Sequence, residues 1–293
     1  SRPKDLAGGK GSASVDFTSA PKHDPRCPFC VGSEAKTPNE IERVTRNGKW
    51  SARVIPNKFP ILSVDQCDLR PNREKSGMFL YMKGCGSHEL VIEHPDHNQS
   101  LGTMTDDEVA DVLSLYRIRH QKLTEDPHVL MTTIFRNQGT AAGASQRHPH
   151  SQIIATRLVP THIRYLLVEA QRHFDDLGTC VYCEIANHER EVGERMIFEN
   201  EGAIVFCPYA STVPYETWIV PKVHRASFGN ITDEEITPIA KVLRLVLGRF
   251  GERLENPAYN LTIKTSPYPM QQVPFFQWHL QILPRITTPG GFE

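Results

Sequence analysis

The chain has 293 residues, 39% of them apolar, and a formal net charge of −1. That length suits one large domain or two medium ones, and the charge excludes the basic field that duplex nucleic acid calls for. No apolar run reaches the roughly 18 residues of a membrane span, and the polar N-terminus holds no signal-peptide core. A cytoplasmic protein with neither nucleic-acid nor membrane partners is expected.

In chain order, residues 1–26 are rich in Gly, Ser, Pro and Lys and read as a lead-in arm. The pair Cys27-Pro28-Phe29-Cys30 follows. Trp50 to Ile55 alternates as a strand does, and Pro56-Asn57-Lys58-Phe59-Pro60 breaks it. Residues 63–78 read as a polar loop. His88 to Glu93 is a second strand, ending in Pro95-Asp96-His97. Thr105 to Glu108 forms a capping box, and Val109, Val112, Leu113 and Tyr116 then recur at helical spacing. Met131 to Phe135 is a strand. A Gly/Ala/Ser-rich loop leads from it into the strand His148-Pro149-His150-Ser151-Gln152. A helix over 161–176, stopped by Gly178, connects to a second pair, Cys180-Val181-Tyr182-Cys183.

The order of features then repeats. Strands are expected at Ala203 to Phe206 and Glu216 to Val220. A second capping box stands at Thr232 to Glu235, followed by a stripe of Ile236, Ile239, Ala240, Leu243 and Leu247. Tyr259 to Thr265 and Phe275 to Leu283 are the last strands. His97 lies eight residues before Thr105, and His224 eight before Thr232. Gln152 corresponds to Gln281. The expected fold class is therefore α+β, built from duplicated halves, 1–160 and 161–293, each an antiparallel sheet with one main helix.

Cys27, Cys30, His97 and His148 offer two thiolates and two imidazoles, a donor set that suits tetrahedral Zn²⁺. The second half offers Cys180, Cys183 and His224. Gln277 stands where His148 does, and His279 where His150 does, so either His279 closes this second site or the site is degenerate. One or two structural zinc ions per chain are expected. Cys67, Cys85 and Cys207 stand alone and read as buried or idle thiols. With His148 given to metal, His150 is left on the same strand face. A neutral imidazole is a good nucleophile near pH 7, and Gly139, Gly143 and Ser145 could bring donors to a phosphate.

At these residues the chain resembles the galactose-1-phosphate uridylyltransferase family, within the histidine-triad superfamily. The resemblance runs from CPFC through PNKFP, SHELVIEHPDHNQSL and NQGTAAGASQRHPHSQIIA, and on through CVYC and ETWIVPKVH to WHLQILP. It implies duplicated histidine-triad folds, usually homodimeric. It also implies that His150 attacks the α-phosphorus of UDP-glucose, and that the uridylyl-histidine formed passes its nucleotidyl group to galactose 1-phosphate in ping-pong fashion. Gln152 would hold the phosphoryl oxygens, Asn57, Asn137, Gly143 and Ser145 would line the nucleotide site, and Glu293 would match a sugar-binding glutamate. Arg2-Pro3 would match an arginine that reaches the nucleotide. Lys58 departs from the acidic residue many members carry there. That departure keeps a second reading in view: a plant-type relative that takes adenylyl from ADP-glucose and passes it to phosphate. A dinucleotide hydrolase, which Gln152 disfavours, and a non-catalytic zinc scaffold are the other classes.

Overall fold

Two sets of five strands, one from each part of the chain, meet edge to edge in one antiparallel sheet. The computed structural model describes residues 20–67 and 74–287. The first part supplies β1 (Glu42–Arg46), β2 (Lys49–Pro56), a small hairpin of β3 (Glu74–Ser76) and β4 (Phe79–Tyr81), then β5 (Gly86–Ile92), β6 (Met131–Gln138) and β7 (His150–Thr156). The second part supplies β8 (Met196–Glu199), β9 (Ala203–Phe206), β10 (Thr217–Pro221), β11 (Tyr259–Lys264) and β12 (His279–Pro284). Among the described residues the large sheet runs β1-β2-β5-β7-β6-β11-β12-β10-β9-β8. Reading outward from the β6–β11 seam gives the same succession on either side.

Four α-helices complete the described chain: α1 (Asp106–Thr124), α2 (Thr161–Leu177), α3 (Val181–Val192) and α4 (Asp233–Arg253). Both predicted capping boxes are present. Thr105 N–H donates to Glu108 at 2.8 Å, and Thr232 N–H to Glu235 at 2.7 Å. α1 and α4 lie against each other and against one sheet face. Val109, Val112, Leu113 and Tyr116 meet Ile236, Ile239, Leu243 and Leu247 in a single core. Full burial of each such aliphatic side chain contributes roughly 1.5–3 kcal/mol.

That packing decides which side chains are left for chemistry. Along β7, Ile153 and Ala155 enter the core, so His150, Gln152 and Ile154 project from the opposite face. A slip of one residue would bury the wrong set. The register is held at the far end by Gly86, whose φ is +148° and whose Cβ, if it had one, would sit 2.0 Å from the Ala155 carbonyl oxygen.

Several expectations are corrected. Residues 63–78 are not all loop, because β3 and β4 pair as a hairpin. Residues 181–192 form α3, buried through Tyr182, Ala186 and Glu189. β1 and β8, at five and four residues, are short strands beyond those expected. The last strand begins at His279, because the Phe275 and Phe276 side chains belong to an apolar cluster with α2. Cys67 and Cys85 are not idle thiols. A bridge between Ser63 and Cys85 brings their chains together, and the two form a disulfide with Cα atoms 4.6 Å apart. Arg2, Pro3 and Glu293 lie outside the described residues. Among those described, no helix is long and apolar enough to cross a membrane.

Candidate active site

His150 is positioned by its own strand. Its Nδ1 lies 2.8 Å from the His148 carbonyl oxygen, which can only accept, so Nδ1 carries the proton and Nε2 keeps its lone pair. The ring is buried, with the Phe29 ring centroid 5.9 Å away. Burial pushes its pKa below the usual histidine value. The bond to His148 and the nearby Glu93 carboxylate oppose that shift without reversing it. The imidazole is therefore neutral at neutral pH.

His150 and Gln152 share the wall of a cavity of about 200 Å³ with Phe29, Asn57, Lys58 and Ser145. Four of the residues expected at the site thus come together. Asn137 and Gly143 stand beside it at the seam. Asn137 Oδ1 accepts from Asn260 Nδ2 at 2.8 Å, so the two halves clasp there through equivalent strands. Gly143 has φ +87°, a conformation that suits glycine, and its N–H donates to the Thr140 carbonyl. Its amide is thus engaged within the loop.

Behind His148 the four candidate ligands converge. Cys27, Cys30, His97 and His148 are all buried, and their ligand atoms lie within 4.8 Å of one another. His148 Nδ1 is 3.6 Å from both sulfurs, and His97 Nδ1 is 3.6 Å from the Cys30 sulfur. Zn–S and Zn–N bonds of the usual lengths in a tetrahedron give an S···N edge of about 3.6 Å. His148 Nε2 donates to the His94 carbonyl at 2.8 Å, which leaves Nδ1 as the ligand atom, a fixed tautomer of the kind metal histidines show. Burial holds the Cys30 thiol up at about 11 and His148 down at about 3. A divalent cation would displace the Cys30 thiol proton on binding.

The second cluster is smaller. Cys180, Cys183 and His224 converge within the same limit. They line a groove of about 1100 Å³ together with Trp218 and Tyr209. His279 is not part of this cluster, which corrects its expected place as the fourth ligand. Its ring stacks on Trp218 at 4.6 Å, and its Nδ1 is turned to the Gln277 carbonyl at 3.1 Å. Gln277 is itself committed, accepting from the Arg225 N–H at 2.8 Å.

One contributor to the site was not read from the sequence. His88, on β5, reaches Gln152 Oε1 with its Nε2 at 2.8 Å and also touches Asn57. The signal was the alternation of His88, Leu90 and Ile92. Once β5 is set beside β7, that alternation puts His88 on the cavity face.

A neutral nucleophile beside an amide, carried on a duplicated α+β sheet, is the equipment of group transfer from a phosphate ester. Comparison with known proteins narrows the class. Residues 4–160 match the family described as galactose-1-phosphate uridyl transferase, N-terminal domain. The chain is 32% identical to ADP-glucose phosphorylase of Arabidopsis thaliana, over 95% of this chain and 80% of that protein. It is 28% identical to the galactose-1-phosphate uridylyltransferase of Thermotoga maritima, over 88% of this chain and 77% of that protein. The solved structure of the Arabidopsis ADP-glucose phosphorylase with bound ADP-glucose superposes with a TM-score of 0.82 at 31% identity, covering 94% of this chain and 85% of that one. The chain belongs to the galactose-1-phosphate uridylyltransferase family. It is a nucleotidyltransferase.

Proposed function

We propose that the enzyme moves a nucleotidyl group from a nucleotide sugar to a phosphate-bearing acceptor through a covalent intermediate on His150. The observation that carries this reading is the bond from His150 Nδ1 to the His148 carbonyl, which leaves Nε2 as an unprotonated nucleophile on a cavity wall. Nε2 attacks the α-phosphorus and forms an N–P bond. The P–O bond to the β-phosphate breaks, and the sugar 1-phosphate leaves with that electron pair as a phosphate anion, so no acid is needed. Gln152 donates to the phosphoryl oxygens as charge gathers on them. An acceptor phosphate then takes the place of the leaving group, and its oxygen displaces Nε2.

Cys27, Cys30, His97 and His148 would hold Zn²⁺, which supplies a structural cross-link behind β7 when bound. Cys180, Cys183 and His224 would hold a second ion less completely. In this reading residues 1–160 carry the chemistry and 161–293 are the copy that does not react. In this reading the enzyme is cytoplasmic, as its composition suggests, and a homodimer with Glu293 gripping the sugar, as the family resemblance implies.

Two readings of the donor have support. The family match favours uridylyl transfer from UDP-glucose to galactose 1-phosphate. Similarity to ADP-glucose phosphorylase, with Lys58 on the cavity wall, favours adenylyl transfer from ADP-glucose to phosphate. Each donor–acceptor pair should be supplied in turn and the initial rates plotted against both substrates. Parallel lines in double-reciprocal form with one pair, and net nucleotidyl transfer only when its acceptor is present, are expected. Steady nucleotide release without any acceptor would instead identify a hydrolase and overturn the reading.

A further inference from the structure

On the cavity face, His88 stands diagonally across from Gln152, and its Nε2 lies 2.8 Å from Gln152 Oε1. A backbone donor fixes which ring nitrogen holds the proton: the Ile61 N–H lies 3.3 Å from His88 Nδ1 and can only donate. Asn57 Nδ2 lies beside the same ring edge, 3.3 Å from Nδ1 and 3.1 Å from Nε2. Asn57 is oriented in turn, because its Oδ1 accepts from the Phe59 N–H at 2.9 Å. Nδ1 therefore accepts, Nε2 donates, and the Gln152 amide is turned with its oxygen toward His88. Its NH₂ end is the one presented to the cavity.

The copy arranges the same glutamine the other way round. Gln281 lies opposite Trp218, as Gln152 lies opposite Leu90, and Glu216 takes the place of His88. A carboxylate can only accept, and Gln281 Nε2 donates to Glu216 Oε1 at 2.7 Å. Burial alone would raise the Glu216 pKa. Hydrogen bonds from Gln281, Thr212 and Trp218 hold it below the usual carboxylate range, so it stays an acceptor. Gln281 thus turns its carbonyl outward.

We propose that His88 is a positioning residue that aims the Gln152 NH₂ at the transferred phosphoryl group, and that the Glu216 arrangement is what denies this to the second half. This rests on the nucleotidyl-transfer reading given above. An N–H aimed at phosphoryl oxygens stabilises their growing charge, whereas a carbonyl in its place repels it.

The test is the single-turnover rate of covalent nucleotidylation, followed by intact mass with UDP-glucose and with ADP-glucose. His88→Glu, which copies the second half, should load roughly 10²-fold more slowly, the cost of one lost oxyanion donor. His88→Gln can still donate to Gln152 Oε1 and should stay within about tenfold of wild type. His88→Leu, which removes the donor without adding charge, should fall between them. In a Gln152→Leu background, His88→Glu should add no further loss. His88→Leu loading as fast as His88→Gln would overturn the proposal, and so would His88→Glu slowing the Gln152→Leu enzyme by its full factor. A wild type that loads with neither donor overturns the nucleotidyl reading, and this inference with it.

Discussion

The first half places His150 and Gln152 along β7 with His148 just before it, and the second places His279 and Gln281 along β12 with Gln277 just before it. Both second-position histidines turn Nδ1 to the carbonyl two residues back, at 2.8 Å for His150 and 3.1 Å for His279. The tautomer is shared, so it is required for reactivity without distinguishing the two. The surroundings differ. Leu90 lies opposite Gln152, and His150 lines an open cavity. Trp218 lies opposite Gln281, and its indole covers the His279 ring, with Tyr182 at 5.3 Å. One large aromatic ring stands over His279, where His150 faces a cavity. A duplicated fold keeps the strand cheaply, and it loses the site through a few side chains.

The metal sets give the largest contrast to break. Cys27→Ser removes one of four buried ligands that converge behind β7. It should lower the zinc content by one ion per chain and cost on the order of 5 kcal/mol in denaturant unfolding, since metal affinity here is folding energy. Cys183→Ser touches a set of three, on a residue only half-buried, and should cost about 1–3 kcal/mol. Equal losses would mean that the second set is as complete as the first.

A smaller effect sharpens the seam between the halves. His120 on α1 pairs its Nδ1 with Thr132 and its Nε2 with Ser227 at 3.3 Å, tying the first half to the second. Burial pushes its pKa down to about 4. The unfolded chain binds this proton near the ordinary value of 6.5, and the folded chain does not. Its effect is absent above pH 6.5 and destabilises progressively as pH falls from 6.5 to 4, by up to about 3 kcal/mol. Melting temperatures measured across that range should fall less steeply for His120→Gln than for wild type. Parallel curves would show that His120 titrates normally.

Local signals carried most of what could be read ahead of the structure. The capping boxes and the apolar stripes of α1 and α4 each lie within one segment, and the repeat needs only the order of such segments; all three match the structure. His148 and His150 are separable because Cys27, Cys30 and His97 need one more ligand, which His148 supplies, leaving His150 free. What was missed depends on partners across strands. His88 matters only once β5 lies beside β7. The Cys67–Cys85 pairing needs the Ser63–Cys85 bridge. His279 looked like a ligand because spacing along a chain does not say that Trp218 stands over it. α3 was hidden because its first turn carries Cys183 and drew a metal reading before a helical one.

The central claim is that His150, and no other side chain, becomes covalently nucleotidylated. The direct measurement is to incubate the protein with UDP-glucose or ADP-glucose, without acceptor, and to weigh it intact before mapping the label. A single uridylyl or adenylyl increment is expected on the peptide containing His150, absent in His150→Ala, retained in His279→Ala, and discharged by the matching acceptor. Burial of the ring sets the pH range: loading should decline only below pH 6.5, as Nε2 becomes protonated. An increment that survives His150→Ala, or that maps to the second half, would contradict it.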